Sequence, residues 1–182
     1  MTKKAPEETR AKLIQAAVAI IVGQGVAQLS LSAVAQAAQV SKGGLLHHFP
    51  TKEALLNGID DRSTQIWRQR LDEALAKEPE GQPGRWSRAY IHACFERDPE
   101  EQELLRAIAR IMSIYPPLIE RWRTIYDQMW AEVGDDGLPP GRALSIQAAC
   151  DGIWIGDLIE VAVIPASQLA AVRADLMRLS YV

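Results

Sequence analysis

Apolar residues recur along this chain at helical spacing almost from end to end. Leu13, Ala16, Ala17, Ile20 and Ile21 stand at i, i+3, i+4, i+7 and i+8, the stripe that one face of an α-helix presents. Gly23 or Gly25 is expected to end that first helix, because glycine closes a helix without steric strain. Ser30 has the side-chain oxygen to cap a short second helix carrying Leu31, Val34, Ala35 and Ala38. Ser41 does the same for a third, from Lys42 to about His48, which Pro50 closes. Thr51 then caps a long fourth helix through Leu55, Leu56, Ile59, Ile66, Trp67, Leu71 and Leu75.

Residues 77–84 (KEPEGQPG) hold two prolines and two glycines and read as a loop. Trp86, Ala89, Tyr90, Ala93, Cys94 and Arg97 mark a fifth helix beyond it. Leu104, Leu105, Ile108, Ile111 and Met112 mark a sixth, closed by Pro116 and Pro117. Leu118, Trp122, Ile125, Tyr126, Met129 and Trp130 mark a seventh, ending in 134–141 (GDDGLPPG). The eighth is expected from about Arg142 to Ile164, where Pro165 stops it, and the ninth carries Leu169, Val172, Leu176 and Leu179. With no repeat, low-complexity tract or strand pattern, the expectation is an all-α fold of nine helices.

Composition narrows the class. Of 182 residues 48% are apolar and 24% charged, which is globular and not disordered. The net charge of −3 hides an asymmetry: residues 1–52 hold six bases against two acids, and the rest fourteen against twenty-one. A basic head on an acidic body suits a protein that meets phosphate with one end only. No apolar h-region follows Met1, so no signal peptide is expected. The most apolar stretch, 143–164, contains Asp151, Asp157 and Glu160, which argues for a buried helix and against a membrane span. Cys94 and Cys150 lack metal-ligand spacing and read as core thiols of a reducing, cytoplasmic protein.

The second and third helices carry the functional signal. Only Gln39 and Val40 separate the end of one from the cap of the next, and two short helices so tightly joined form a helix-turn-helix. Lys42, Gly43 and Gly44 open the third helix, where free N–H groups and the dipole favour phosphate. Two glycines are poor choices for packing, at about 1 kcal/mol each against alanine, but they let a backbone approach a groove. His47 and His48 can donate to phosphates while Leu45 and Phe49 hold the helix to the core. Adjacent helical side chains point about 100° apart, and no cysteine or nearby acid completes a site, so the histidines are not expected to bind metal.

The run from Gly25 to Leu56, with Leu29-Ser30-Leu31, Val34-Ala35, Val40-Ser41-Lys42-Gly43, His47-His48-Phe49 and Lys52-Glu53-Ala54-Leu55, resembles the TetR-family signature. That resemblance implies a homodimer joined through the last two helices, a palindromic duplex operator and an effector site in the C-terminal domain. It implies DNA-facing roles for Ser30, Ser41, Lys42, Gly43, Gly44, His47, His48 and Lys52. It also divides the chain into a DNA-binding domain, 1–50, and an effector-binding and dimerisation domain, 51–182. Three positions depart from the family pattern. Gln39 stands where glycine is usual and would have to adopt a left-handed conformation; Gly44 replaces a common Thr or Ser; Leu46 replaces a common Tyr.

In the body, Trp67, Trp86, Tyr90, Trp122, Tyr126, Trp130 and Trp154 place seven aromatics on helices four, five, seven and eight. Aromatics at such spacing fill a core or line an apolar pocket with a few placed polar groups. Residues 148–159 (AACDGIWIGDLI) are similar to a stretch of TetR-type regulators that bind cationic or aromatic drugs. The candidate ligand residues are therefore Trp67, Tyr90, Met112, Trp122, Tyr126, Asp151, Trp154 and Asp157. The acids have alternatives in ion pairs with Arg121, Arg123 or Arg173 or in helix capping. No nucleophile–base pattern, phosphate loop or cofactor fingerprint points to an enzyme or a bound cofactor. The expected function is a repressor released from DNA by a small hydrophobic or cationic effector; the alternative is a DNA-binding regulator controlled without one.

Overall fold

The nine expected helices are all present in the computed structural model, which describes residues 4–96, 99–134, 136–139, 141–159, 161 and 164–182. Lys3, one of the six bases in residues 1–52, and the expectations placed on Arg97 and Glu160 lie outside the described residues. The helices are α1 (Lys4–Gln24), α2 (Leu31–Ala37), α3 (Lys42–His48), α4 (Lys52–Lys77), α5 (Arg85–Phe95), α6 (Pro99–Met112), α7 (Pro116–Gly134), α8 (Arg142–Leu158) and α9 (Ala166–Leu179). A single 3-10 turn, Val26–Gln28, follows α1. No helix among the described residues is long and apolar enough to cross a membrane.

One boundary differs from expectation. The eighth helix stops at Leu158 and does not run on to Ile164. The Val161 N–H bonds back to the Gly156 carbonyl at 3.1 Å, closing the last turn over five residues. Ile159 and Val161 beyond it are exposed, so the apolar run there is not the continuation of a buried stripe.

The described helices gather into two compact units. The first holds α1, α2, α3, α4 as far as Thr64, α6, and the start of α7 to Leu118. Leu13, Ala17 and Ile21 are fully buried on α1, and Val34, Leu45, Leu55 and Ile59 join that core. Helix α6 belongs here although it lies far along the chain from α1. Ala107, Ile108 and Ile111 are fully buried, and the Arg110 guanidinium donates to the Ile21 and Val22 carbonyls at the end of α1. Carbonyls in the last turn of a helix lack a full set of intrahelical partners, so the arginine satisfies a helix end and fixes α6 to it.

The second unit holds α4 from Gln65, α5, α7 from Ile119, α8 and α9. Its core runs through Leu71, Tyr90, Ile91, Met129, Ile146 and Leu176. Asp136, buried in the loop after α7, accepts from the Trp86 and Ser87 N–H groups at 2.7 and 3.1 Å and so caps α5 from a distant segment. Arg88, only 2% exposed, pairs with Glu78 at 2.6 Å and donates to the Pro83 and Ser180 carbonyls. Its guanidinium also lies 4.7 Å from the centre of the Tyr181 ring, so one side chain ties the C-terminal residues to the start of α5.

Two substitutions test this account of the backbone. Gln39 has φ 56°, the one non-glycine residue with positive φ among those described. Gln39→Gly should therefore raise unfolding free energy by about 1 kcal/mol, seen as a higher urea midpoint at unchanged slope. Gly84 has φ 77°, and a Cβ there would lie 1.9 Å from the Ser180 carbonyl oxygen. Gly84→Ala should lose more than about 2 kcal/mol in the same measurement.

Candidate nucleic-acid interface and candidate ligand site

The first unit exposes one end of α3. Helix α2 begins at Ser30, whose hydroxyl accepts the Ala33 N–H at 3.1 Å, and ends in a turn where Val40 N–H bonds to Ala35 O at 3.0 Å. The left-handed Gln39 reverses the chain there, and Ser41 caps α3 by accepting the Gly44 N–H at 3.1 Å. Leu45 and Phe49 are buried and pin α3 to the core, while Ser41, Lys42, Gly43, Leu46 and His47 are exposed. Each serine hydroxyl that accepts a capping bond retains an O–H that can donate to a further partner.

The expected DNA-facing residues thus fall into two groups. Ser30, Ser41, Lys42, Gly43 and His47 are open to solvent; Gly44, His48 and Lys52 are half-buried. Lys52 rests its ammonium 3.4 Å from the Val26 carbonyl, leaving further N–H donors for another partner. The glycines also part company. Nothing lies within 4 Å of a Cβ placed on Gly43, whereas one on Gly44 would meet Val40 Cγ1 at 3.0 Å and Ser41 Oγ at 3.2 Å. Crowding by the turn explains Gly44 without any groove; Gly43 has no such internal reason. Among the described residues no three His, Cys, Asp or Glu side chains gather as a metal site.

In the second unit six of the eight candidate ligand residues form a continuous chain of contacts. Trp67 meets Tyr90 edge-on with ring centres 5.3 Å apart, and Trp86, outside the expected set, stacks on Tyr90 at 4.7 Å. The Tyr90 hydroxyl donates to Asp151, and Tyr126 bonds to the same carboxyl. Trp122 lies 6.4 Å from Tyr126 and stacks on Trp154 at 5.6 Å and 12°. The other two candidates stand apart: Asp157 is exposed, and Met112 belongs to the first unit. Arg123 pairs with Glu120 and Arg173 with Glu96, at 2.6 and 2.8 Å.

Electrostatics set this chain apart from an ordinary core. Burial holds the Asp151 carboxyl above its ordinary range, against the downward pull of the Tyr90 and Tyr126 hydrogen bonds. Burial likewise pushes both tyrosine hydroxyls well up, with the Asp151 charge adding to it, so both remain neutral donors at neutral pH. One turn before Asp151, Gln147 is 1% exposed, and neither its Oε1 nor its Nε2 has a hydrogen-bond partner among the described residues. Leaving such a buried amide unpaired costs about 1–3 kcal/mol per group. Sequence reading misses Gln147, which sits in an apolar helix as unobtrusively as a surface glutamine does. A separate groove of about 470 Å³ lies between Arg68, Leu71, Trp86, Glu132 and Gly137, and none of the expected ligand residues lines it.

The outer surface of the same unit is apolar along α8. Leu144, Ala148, Gly152, Ile155 and Ile159 are exposed at helical spacing, and no atom lies within 4 Å of a Cβ placed on Gly152. Of the other small residues on this helix, Ala149 is half-buried and Gly156 buried within the chain itself.

A capped α2, a left-handed turn and an outward α3 define a helix-turn-helix protein with a helical body. The chain matches the model of bacterial regulatory proteins of the tetR family over residues 13–59 and that of the tetracyclin repressor-like C-terminal domain over residues 84–181. It belongs to the TetR family of transcriptional regulators. Among solved structures it is similar to a TetR-family member from Streptomyces coelicolor A3, with 24% identity, TM-score 0.61, and 94% of this chain and 98% of that one covered. It is also similar to NalD, the secondary repressor of the MexAB-OprM multidrug efflux pump in Pseudomonas aeruginosa, at 18% identity, TM-score 0.62 and 96% of each chain. A third is the multidrug binding protein EbrR complexed with malachite green, at 20% identity and TM-score 0.59, covering 93% and 96%. No curated protein sequence matches the chain.

The charge state of Asp151 is testable by pH. Its carboxyl is raised above the ordinary value of 3.8, so its contribution to stability is full below that value and is lost as pH rises through the folded-state value. Asp151→Asn removes this loss. Its stability relative to the parent should climb as pH rises above the ordinary value of 3.8 and level off once pH has passed the folded-state value, measured by denaturant unfolding at stepped pH. A difference that stays flat with pH would show that Asp151 is not desolvated.

Proposed function

We propose that the chain is a DNA-binding transcriptional repressor that acts as a homodimer on a palindromic operator and is released by a small hydrophobic or cationic effector. The observation that carries the DNA reading is α3, held by buried Leu45 and Phe49 with Lys42, Gly43 and His47 turned to solvent. Lys42 supplies a phosphate contact, and Gly43 lets the backbone come close to the duplex. The functional division at residue 50, with operator binding before it and effector binding and dimerisation after it, is part of the same proposal.

Support for the dimer comes from the exposed stripe of Leu144, Ala148, Gly152, Ile155 and Ile159 on α8. Small residues within it allow a close helix approach, and a two-fold partner through α8 and α9 would cover it. Support for the effector comes from the aromatic chain around Asp151 and from the likeness to the multidrug binding protein solved with malachite green. Stacked rings and an ionisable carboxyl favour a flat cation, which gains about 0.5–2 kcal/mol over a ring face. Binding shifts the protein toward a conformation whose two α3 helices no longer fit successive major grooves.

Lys42→Ala should weaken binding to all duplexes alike and flatten the slope of log affinity against log salt by about 0.9 for each phosphate that the lysine neutralises in the parent. Gly43→Ala should leave the fold intact or stabilise it by up to about 1 kcal/mol, yet weaken operator binding. Full operator affinity in both variants would remove α3 from the interface. Sedimentation should give about 40 kDa, twice the chain mass of 20.1 kDa; a clean monomer at micromolar concentration rejects the dimer. Malachite green should lower operator affinity in a binding titration. Binding of DNA that no flat cation or apolar aromatic disturbs would favour a regulator controlled without a ligand.

A further inference from the structure

Helix α8 turns a mixed face inward. Ala143, Ile146 and Cys150 are buried and apolar, as a helix packed on α5 requires. Gln147 lies in the middle of that face at 1% exposure, with both ends of its carboxamide unpaired among the described residues. It is not a member of the Asp151 network, whose carboxyl already takes the Tyr90 and Tyr126 hydroxyls. Yet Gln147 and Asp151 are four residues apart and so lie on one side of the helix, a turn from each other. A leucine or methionine would fill the same space with no unpaired group, so stability alone does not account for a glutamine here.

We propose that the Gln147 carboxamide is a specificity-determining contact for the effector, and that it selects a flat ligand whose edge carries a donor and an acceptor side by side. The proposal rests on the effector reading above. A primary amide presents C=O and N–H in one plane, and its full complement is another such pair: an amide, lactam or imide edge forming two hydrogen bonds at once. A ligand that offers only an acceptor, only a donor or a bare charge leaves one end of Gln147 unpaired. The aromatic chain from Trp67 to Trp154 supplies the flat surroundings such a ligand needs. Discrimination of this kind is steep, because only the matching edge pairs both polar atoms that otherwise stay stranded.

The test uses full-length protein, tryptophan quenching and two probes that differ only at that edge: 1,8-naphthalimide, whose N–H lies between carbonyls, and N-methyl-1,8-naphthalimide, in which a methyl replaces the donor hydrogen. The parent should prefer the unmethylated imide by at least about tenfold. Gln147→Met, of nearly equal length, should melt higher than the parent, bind both imides within about twofold of each other, and keep its affinity for malachite green. Gln147→Leu, a second apolar variant, should behave in the same way. Malachite green binding with no preference between the imides, or with a preference that survives in Gln147→Met, overturns the assignment and leaves the effector reading standing. Failure of malachite green and both imides to bind the parent overturns the two together.

Discussion

Every helix begins with N–H groups and ends with C=O groups that its own ladder does not use, and the nine helices among the described residues all face that constraint. Its solutions organise the molecule. Where the partner is local, as at Ser30, Ser41 and Thr51, the cap sets where α2, α3 and α4 begin. Where the partner is distant, the cap also becomes a tertiary bond. Asp136 starts α5 from the loop after α7, Arg85 donates to the Leu75 and Glu78 carbonyls as α4 ends, and Arg110 closes α1 from α6. Asp136 and Arg85 carry charge into buried or half-buried places and Arg110 bonds from the surface, because a charged group bonded to a helix end is worth more than a neutral one.

Function depends on what those caps hold still. In the first unit, Ser41 and the left-handed Gln39 fix the direction in which α3 leaves the turn, so that burying Leu45 and Phe49 forces Lys42 and His47 outward. In the second, Asp136 and Arg88 fix the first turn of α5, and Tyr90 follows within two turns, placed to stack on Trp86 and to bond Asp151. The two units use opposite strategies. One offers cations and bare backbone to solvent; the other withdraws a carboxyl and an amide from it.

Local features are legible in the sequence, and long-range ones are not. Ser30, Ser41 and Thr51 announce their helices because a cap acts over three residues, and the left-handed backbone at Gln39 is anticipated because the family pattern has glycine at that position. The end of α8 is misleading in the sequence because Ile159 and Val161 are apolar without being buried. Arg88, Arg110 and Asp136 look like surface charges, since their partners lie far along the chain, and the place of α6 beside α1 is hidden for the same reason. Of the ligand candidates, the aromatic spacing marks Trp67, Tyr90, Trp122, Tyr126 and Trp154, and an acid in an apolar helix marks Asp151. Gln147 carries no charge and so gives no such signal.

The central claim is that α3 reads duplex DNA as one half of a symmetric pair. The most direct measurement is selection: purified protein is incubated with random duplexes at moderate salt, and the retained fragments are sequenced over successive rounds. The account predicts enrichment of one inverted repeat, with half-site centres about 10 bp apart or more if the dimer sits wider. Retained fragments that share no sequence and match a protein-free control would contradict it.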